Sequence, residues 1–514
     1  MPGRSFTHPY PLVLPRIEIP PDLDFLVLEL PPRYQPMMPN GLGYLYNALK
    51  NADIRFRMID LNIVMYHRYH SKRILDRIEI PVRLNGKRED PWDSTNALEW
   101  YREEVLDYFW PEVRGFLDEI IAARPKAVGL SVHRSNRPVA QRFVKELKQN
   151  SPETVIIIGG YDCVYLDIDP WLFPEFDYVV IGEAELTIAP LLDALAKGRR
   201  PRDLPGIVSH FDSPNREWKV PIPENLDALH FPRYEWTDLS LYLDYRGRRL
   251  VPITASRGCR WGRCRFCREC FMFRSRSPHR VVEEIAVMVA RGFDAFHFNE
   301  SDVNGDPEAL YAICTGIIRE GLKVKLMGQL RISRSNTAEY MQHLAEAGFK
   351  HLRFGVDGWC DRTLRFQRKG YGIKTVFQNL RDSHAAGIRT TVNVVVGVPG
   401  ETEEDVDETI RNLILCKNHI DLVEALNTLY LVGGSEYFRY PEKYKIRFRG
   451  DKDRIRAENR SYVPPDLWYS EEPYIDQDVR LQRLSRVIAA LHENGVRLAP
   501  FVQREVEILR QKTG

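Results

Sequence analysis

Four cysteines lie within twelve residues, in a segment that reads SRGCRWGRCRFCREC. Cys259, Cys264, Cys267 and Cys270 have the spacing C-x4-C-x2-C-x2-C and directly follow the apolar stretch 250–256. Thiolates at such close spacing can surround an iron–sulfur cluster. Paired C-x2-C steps also suit a structural zinc ion. The spacing therefore favours an iron–sulfur cluster and leaves zinc as the alternative.

Arginines surround these cysteines. Eleven of them fall between residues 246 and 280, although the net charge of the chain is only +2. We expect them to lower the pKa of the thiols and to balance the negative charge of a thiolate-bound cluster. The run could equally contact an acidic substrate or form a solvated face. The near-neutral total charge favours neither a nucleic-acid nor a membrane partner.

The rest of the composition is that of a globular protein, with 44% hydrophobic and 28% charged residues. No apolar run approaches the roughly 18–20 residues that span a bilayer. The Pro-rich N-terminus has no apolar core of a signal peptide, so we expect a cytoplasmic protein. The other cysteines, Cys163, Cys314, Cys360 and Cys416, are scattered, and we interpret Cys314, Cys360 and Cys416 as core residues.

The cysteine segment opens a series of alternating strands and helices. The predicted strands are 250–256, 293–300, 324–330, 351–357, 390–400 and 421–432. Six strands with helical crossovers predict a partial (β/α)6 barrel, whose chemistry lies at the carboxyl ends of the strands.

Strands and helices also alternate in an earlier part of the chain. Its predicted strands are 24–30, 54–62, 127–132, 154–160 and 177–183. They predict an α/β fold with a doubly wound parallel sheet of flavodoxin or Rossmann type. Such sheets bind ligands outside the carboxyl ends of their strands, where Gly159-Gly160 and Gly182-Glu183 fall.

Composition shifts suggest five segments. They are an N-terminal arm (1–22), the doubly wound domain (23–198) with an insertion (63–115), a linker (199–245), the barrel domain (246–440) and a C-terminal helical segment (441–514). We expect the last segment to cap the substrate. We interpret lone histidines such as His133, His297 and His351 as packed or surface residues.

The cysteine loop resembles the signature loop of the radical S-adenosylmethionine (SAM) superfamily, C-x3-C-x-aromatic-C. Cys264-Arg265-Phe266-Cys267 matches its second half, and Ser256-Arg257-Gly258-Cys259 resembles its lead-in. Four residues instead of three separate Cys259 from Cys264, and Cys270 offers a competing ligand. The resemblance implies a [4Fe–4S] cluster held by Cys259, Cys264 and Cys267.

Later motifs follow in the order of that superfamily. Residues 299–302 end the second barrel strand, Gly355-Val356-Asp357-Gly358 resembles the fourth-strand motif, and 397–402 resembles the fifth-strand motif near the adenine. Arg368-Lys369-Gly370 resembles the "Lys-Gly" pair between them. The resemblance implies SAM contacts from Asn299, Glu300, Asp302, Gly355, Asp357, Gly397 and Pro399.

The resemblance also implies a specific chemistry. Three cysteines leave one iron open, and SAM chelates that iron through its amino and carboxylate groups. An external electron donor of flavodoxin or ferredoxin type reduces the cluster, which then cleaves SAM to methionine and a 5′-deoxyadenosyl radical. The protein positions these groups and excludes competing reactions.

The N-terminal domain resembles the cobalamin-binding domain attached to one large class of radical SAM enzymes. The resemblance rests on Pro31-Pro32, on 38–42, on Gly159-Gly160 and on 180–185. It implies cobalamin contacts from Gly159, Gly160, Gly182 and Glu183. The histidine motif Asp-x-His-x-x-Gly is absent, so no histidine from it serves as lower ligand. A flavodoxin-like domain without a ligand remains the alternative.

Together these resemblances imply a class B-like radical SAM methyltransferase. Its reaction would be methyl transfer to an unactivated carbon, or phosphorus, of a small-molecule or peptide substrate. A cobalamin-dependent rearrangement or cyclisation is the second interpretation, and a zinc-stabilised nucleic-acid-binding protein is the third. Methylthiotransferases carry three further cluster cysteines in their N-terminal domain, whereas residues 1–162 contain none here.

Overall fold

The computed structural model divides the chain into two compact units, Met1–Val251 and Pro252–Gly514. The residues that it describes are 17–33, 37–75, 83–84, 87–88, 91–92, 97–163, 174–213, 216, 219–243, 249–269, 272–459 and 462–499. Cys270, most of the predicted N-terminal arm and residues 500–514 lie outside these ranges. Within them, no helix is both long and apolar enough to cross a membrane.

The first unit is an α/β sheet domain. Its strands are β1 (Phe25–Glu29), β2 (Phe56–Asp60), β3 (Arg83–Leu84), β4 (Lys87–Arg88), β5 (Ala127–Ser131), β6 (Val155–Gly159), β7 (Tyr178–Val180) and β8 (Ile207–Ser209). Its helices are α1 (Asn40–Lys50), α2 (Leu61–Leu75), α3 (Glu103–Ala123), α4 (Arg137–Asn150) and α5 (Ile188–Ala196). Strands β3 and β4 form a separate small hairpin.

The main sheet of this unit has the order β2-β1-β5-β6-β7-β8. The first five strands are parallel, and β8 pairs antiparallel with β7. Strands β1, β5 and β6 are apolar and almost wholly buried, as expected for a sheet covered on both faces. Helices α1 and α5 pack together, as do α3 and α4. This confirms the predicted doubly wound sheet and adds an edge strand from the predicted linker.

The second unit contains the barrel and a small antiparallel layer. Its strands are β9 (Val251–Ile253), β10 (Ser256–Arg257), β11 (Arg274–Ser275), β12 (Ala295–Phe298), β13 (Lys325–Leu330), β14 (Phe349–Asp357), β15 (Arg389–Val396), β16 (Leu422–Thr428), β17 (Leu431–Val432), β18 (Ile446–Phe448), β19 (Tyr462–Val463), β20 (Trp468–Glu471) and β21 (Tyr474–Ile475). The helices are α6 (Pro278–Ala290), α7 (Pro307–Arg319), α8 (Ala338–Ala347), α9 (Asp361–Phe366), α10 (Ile373–Ala385), α11 (Glu403–Leu415), α12 (Glu436–Arg439), α13 (Lys452–Asn459) and α14 (Gln477–Glu493).

The barrel sheet has the order β16-β15-β14-β13-β12-β9, which confirms the predicted partial (β/α)6 architecture. Strands β12, β13 and β14 alternate between buried residues and partly exposed ones. Because successive side chains point to opposite faces, one face of this sheet packs against helices and the other is less filled. Strands β12 to β16 run parallel, so their carboxyl ends share one edge.

The C-terminal segment contributes to both parts of this unit. Helix α14 packs against α11 and β16, and so extends the outer helical layer of the barrel. Strands β17 to β21 form short antiparallel sheets around a small core that includes Tyr437, Phe438 and Trp468. Phe266 of the cysteine loop packs against this core, which lies at the carboxyl edge of the barrel.

Candidate functional site

The cysteine loop leaves the barrel after β9 and returns through an antiparallel pair. Ser256 pairs with Ser275 and Arg257 with Arg274, so a short ladder closes the base of the loop. Within it, the amide of Cys267 donates to the carbonyl of Cys264 at 3.2 Å. The thiols of Cys259 and Cys264 both raise the pKa of Cys267. The loop therefore brings the three predicted ligands into one neighbourhood.

The expectation that arginines lower the thiol pKa values is wrong for two of these cysteines. Burial raises the pKa of Cys259, and Asp302 and Cys264 add to the rise. The Cys267 residue is exposed as a whole, but the dense surroundings of its sulfur raise the pKa of its thiol to about 12. The arginines have other contacts. Arg276, for example, pairs with Glu284 at 2.5 Å.

Backbone carbonyls of residues 366–368 form a platform for the loop. The Arg265 amide and guanidinium donate to Gln367 O and Phe366 O at 3.2 and 2.8 Å. The indole of Trp261 donates to Arg368 O at 2.8 Å. A Cβ atom on Gly370 would lie 2.2 Å from the Trp261 ring, so glycine is required for this approach. The predicted Lys-Gly motif thus supports the cysteine loop directly.

Two acidic residues at the end of β12 lie beside the loop. Glu300 accepts from the amides of Ala255 and Ser256, the latter at 2.7 Å, while its Oε2 is buried and has no partner among the described residues. Asp302 Oδ2 lies 3.9 Å from Cys259 Sγ, and its Oδ1 is similarly buried and unpartnered. Burial raises the pKa of Glu300 to about 7 and also raises that of Asp302. Asn299 is exposed.

A buried lysine organises the end of β14. Lys369 Nζ donates to Gly355 O at 2.8 Å and to Asp357 Oδ2 at 2.7 Å, and the Tyr371 hydroxyl donates to Gly355 O at 3.1 Å. Burial opposes the charge of Lys369, but Asp357 and other neighbours outweigh it and raise the pKa of the lysine. Asp357 has a φ of 63° beside a register shift, which turns this residue out of the regular ladder.

The turn after β15 is tied to the C-terminal segment. The Gly397 amide donates to Glu401 Oε2 at 2.6 Å, and Arg483 Nη1 donates to the same oxygen at 3.1 Å. Gly397 has a φ of 74°, and a Cβ there would lie 2.5 Å from Arg480 Cγ. Pro399 is buried within this turn. Helix α14 therefore holds the predicted adenine motif in place.

Sequence reasoning missed the segment that supports the loop from the other side. The Tyr437 amide donates to Arg265 O at 3.1 Å, and its hydroxyl donates to Phe366 O at 3.1 Å. Glu436 forms a bidentate pair with Arg368 at 2.7 and 3.0 Å and lies 3.9 Å from Arg265. No motif pointed to these residues, because their role depends on contacts between distant parts of the chain.

In the first unit, the direction of strand addition reverses between β1 and β5. Such a switch point is where doubly wound sheets bind ligands. Glu29 ends β1 there and accepts from His133 Nε2 at 3.0 Å, while Ser135 Oγ lies 2.8 Å from His133 Nδ1. Nearby, Arg33 contacts Asp60 Oδ2 at 3.0 Å. Sequence reasoning assigned His133 no site role, although its position after a predicted strand was visible.

The predicted glycine turns lie further along the same edge. Gly159 ends β6, and Gly160 has a φ of 102° and would place a Cβ 2.6 Å from Val132 O. The Gly182 amide donates to Cys163 O at 3.2 Å, so the two turns are joined through Cys163. Glu183 is half-buried before a short turn. The four predicted contacts thus share the carboxyl edge with the switch point.

Comparison with family models agrees with the sheet domain of the first unit and with the barrel of the second. Residues 253–413 match the model of the Radical SAM superfamily, and residues 97–192 match that of the B12 binding domain. The two matches together cover half of the chain. A sheet domain of cobalamin-binding type and a barrel with a cysteine loop define a two-domain enzyme class. The chain belongs to the radical SAM enzymes that carry a B12 binding domain.

Individual relatives are distant. An uncharacterised methyltransferase of Pyrococcus horikoshii is 26% identical over 56% of this chain and 63% of its own length. The anaerobic magnesium-protoporphyrin IX monomethyl ester cyclase of Synechocystis is 27% identical over 56% of this chain and 58% of its own. The chain thus matches about three fifths of the length of these relatives.

A solved structure establishes the fold over nearly the whole chain. It is the radical SAM methyltransferase TsrM from Kitasatospora setae, with cobalamin and a [4Fe–4S] cluster bound. Its TM-score is 0.66 with 17% identity, and the match covers 92% of this chain and 89% of that one.

The donor set suits the cofactors of this family. Three thiols share one loop, and two buried carboxylate oxygens beside it have no partner among the described residues. Over the same residues, which exclude Cys270, no three His, Cys, Asp or Glu side chains are grouped to hold a single metal ion. Thiolates are the usual ligands of iron–sulfur clusters, whereas carboxylate oxygens accept hydrogen bonds from an ammonium group.

Proposed function

We propose that this protein is a cobalamin-dependent radical SAM methyltransferase that acts on an unactivated carbon, or phosphorus, of a biosynthetic intermediate. One observation carries the proposal. The three-thiol loop and the unpartnered oxygens of Glu300 and Asp302 lie at the carboxyl edge of a radical SAM barrel, in a chain that also contains a B12 binding domain. The methyltransferase relatives support the choice of reaction.

In this proposal Cys259, Cys264 and Cys267 hold the cluster. Glu300 Oε2 and Asp302 Oδ1 accept hydrogen bonds from the ammonium group of SAM, which removes the cost of leaving buried acceptors unpaired. When bound, the cluster supplies the electron that cleaves SAM, and cobalamin carries the methyl group. Contacts to SAM are also assigned to Asn299, Gly355, Asp357, Gly397 and Pro399.

Cobalamin is assigned to the carboxyl edge of the first unit, with contacts from Gly159, Gly160, Gly182 and Glu183. The ring nitrogens of His133 are engaged by Glu29 and Ser135, which supports a lower face without a histidine ligand. We assign a small-molecule or peptide substrate and an electron donor of flavodoxin or ferredoxin type. The free thiols of Cys163, Cys314, Cys360 and Cys416 support a reducing, cytoplasmic location.

The second candidate is a cobalamin-dependent rearrangement or cyclisation without methyl transfer. The similarity to an anaerobic cyclase favours it, because that relative matches as much of this chain as the methyltransferase does.

Product counting separates the two. The anaerobically reconstituted protein is incubated with SAM labelled in its methyl group and with candidate substrates suggested by neighbouring genes. Methyl transfer consumes two SAM molecules for each product and yields one S-adenosylhomocysteine and one 5′-deoxyadenosine. Formation of 5′-deoxyadenosine with a product that gains no methyl mass would replace the first candidate by the second.

A further inference from the structure

The face of the barrel sheet that points away from the helices carries polar side chains. In the register of the sheet, His297 lies beside Met327, which lies beside His351. The residues that alternate with them, such as Phe296 and Leu352, are fully buried. Six polar residues of this inner face are partly exposed, namely His297, Gln329, His351, Arg353, Asn393 and Glu424. A purely hydrocarbon ligand does not suit such a face, because it would deprive these groups of hydrogen bonds with water.

Hydrogen bonds connect the inner-face residues of β14, β15 and β16. Thr391 Oγ1 donates to Glu424 Oε2 at 2.7 Å, so the same hydroxyl accepts from His351 Nε2 at 3.0 Å. The ring proton of His351 therefore lies on Nε2, which leaves Nδ1 as an acceptor. Arg353 Nε donates to Asn393 Oδ1 at 2.9 Å. We call these five residues the inner-face network, and its bonds fix the orientation of one cation and one anion.

The charges of the inner-face network cancel. Arg353 Nη1 lies 3.7 Å from Glu424 Oε1, which is an ion pair too long for a hydrogen bond. The two side chains are 35% and 31% exposed. Burial lowers the pKa of His351, and it lowers the pKa of the neighbouring His297 to about 4, so both imidazoles are neutral near pH 7. A ligand with a net charge would be repelled by one member of the pair, whereas a zwitterion complements both.

The pair also has hydrogen-bonding capacity left over. Among the described residues, the Nη groups of Arg353 and Oε1 of Glu424 have no hydrogen-bond partner. The guanidinium thus offers donors directly beside a carboxylate that offers an acceptor. A carboxylate and an ammonium group bound to the same carbon atom match this arrangement, because each would form a charge-assisted hydrogen bond.

The inner-face network lies at a depth that a small substrate can bridge. Arg353 precedes Gly355, a proposed SAM contact, by two residues on β14. Because a strand rises about 3.3 Å per residue, the two positions are about 7 Å apart along the strand. A substrate anchored at Arg353 therefore extends to the carboxyl edge of the barrel, where its reacting carbon must approach to about 3–3.5 Å.

We infer that the inner-face network is the substrate-recognition site and that the substrate carries an α-amino acid group. Arg353 binds the carboxylate of that group and Glu424 binds its ammonium, while Thr391 and Asn393 hold the two side chains in place. The inference rests on the proposed function and names the chemical class of its substrate. A phosphorylated substrate without an ammonium group would meet the charge of Glu424 without compensation.

Binding of free amino acids tests this inference without turnover. Anaerobically reconstituted protein with an unreduced cluster is saturated with SAM, so that amino acids cannot enter the SAM site. The common L-amino acids are then titrated one at a time by calorimetry. We expect at least one of them to bind, and we expect its deaminated and its decarboxylated analogue to bind at least tenfold more weakly.

Two charge-removing variants assign the contacts. Arg353→Gln and Glu424→Gln should each weaken binding of the amino acid at least tenfold. Arg353→Gln should leave the affinity for the decarboxylated analogue unchanged, and Glu424→Gln should leave that for the deaminated analogue unchanged. A merely structural role would weaken binding of all three compounds alike. Lys325→Gln is the matched control, because it removes one partner of an exposed ion pair with Asp294 at the other end of the sheet, and it should bind as wild type does.

Equal wild-type affinities for the amino acid and both analogues would overturn the inference, as would the absence of binding by every amino acid. If circular dichroism shows that Arg353→Gln or Glu424→Gln disturbs the fold, the comparison of analogues in the wild type decides the question alone. Failure of methyl transfer itself would appear in product counting and not in these affinities.

Discussion

Buried carboxylates have different surroundings at the carboxyl ends of the strands in the two units. In the first unit, the buried carboxylates have side-chain partners, with His133 against Glu29 and Arg33 against Asp60. At the barrel edge, Glu300 and Asp302 each keep one buried oxygen without a partner in the described residues. An unpaired buried acceptor costs about 1–3 kcal/mol, so the barrel edge retains an unfavourable feature that the sheet edge avoids.

Each edge is therefore suited to a different kind of ligand. Unpartnered oxygens beside a thiol loop fit a small cationic ligand that pairs with them on binding, as SAM would through its ammonium group. Paired charges and tight glycine turns fit a large ligand that is held through shape and backbone contacts. Gly160 illustrates the second case, since its backbone packs against Val132 too closely for any side chain.

The largest expected effect is at the cysteine loop. Replacing Cys259, Cys264 and Cys267 together by alanine should abolish the cluster, because no other thiol shares their neighbourhood among the described residues. Iron analysis and electron paramagnetic resonance after anaerobic reconstitution measure this, with about four irons expected in the wild type. Cys270→Ala is the control and should retain the cluster. Stoichiometric zinc without an iron signal in the wild type would disprove the assignment.

A smaller loss is expected at the platform below the loop. Gly370→Ala should lower the iron content by more than half, because the new Cβ collides with Trp261 and displaces the loop. Gly321→Ala is a matched control, since Gly321 also has a positive φ, of 63°, but has no atom within 4 Å of the added group. Both variants bear backbone strain of about 1–2 kcal/mol. Equal iron contents in the two would show that Trp261 does not position the loop.

The pH dependence of stability tests the burial of Glu300. Its folded pKa of about 7 exceeds the ordinary value of 4.5, so the folded state binds the proton more tightly. The stability contributed by this proton is present below pH 4.5 and is lost as the pH rises through 7. Relative to Glu300→Gln, which stays neutral, the wild type should lose up to about 3 kcal/mol between pH 4.5 and 8. Urea unfolding of cluster-free protein measures it, and a constant difference would contradict the prediction. Burial causes the rise, and hydrogen bonds from backbone amides, including those of Ser256 and Ala255, oppose it more strongly than the charge of Arg276 does.

The smallest effect is expected at the carboxyl ends of the strands in the first unit. His133→Ala should cost about 1–3 kcal/mol of unfolding free energy, because Glu29 loses a hydrogen-bond donor at a buried site. The electron paramagnetic resonance spectrum of the cob(II)alamin form should be the same in wild type and variant. A strong nitrogen superhyperfine pattern that disappears in His133→Ala would show instead that this histidine ligates cobalt.

Much of the fold was predictable because its signals are local. Apolar runs such as VIIIG in β6 are buried on both faces, and each predicted barrel strand overlaps an observed one. The edge strand β8 was assigned to a linker, since a three-residue strand carries too little periodicity to be recognised. Cys314, Cys360 and Cys416 are buried, which confirms their interpretation as core residues, and Cys163 is buried as well.

The types of the predicted ligands and their order could be read from the sequence, because cysteine spacing and glycine turns are properties of neighbouring residues. The contacts that hold the cysteine loop depend on the packing of distant segments. Trp261 meets Gly370, Arg265 meets Tyr437, and Glu401 meets Arg483 across separations of roughly 80 to 170 residues. Tertiary structure likewise decided the thiol pKa values, since burial depends on the packed surroundings of each sulfur and not on the number of nearby arginines in the chain.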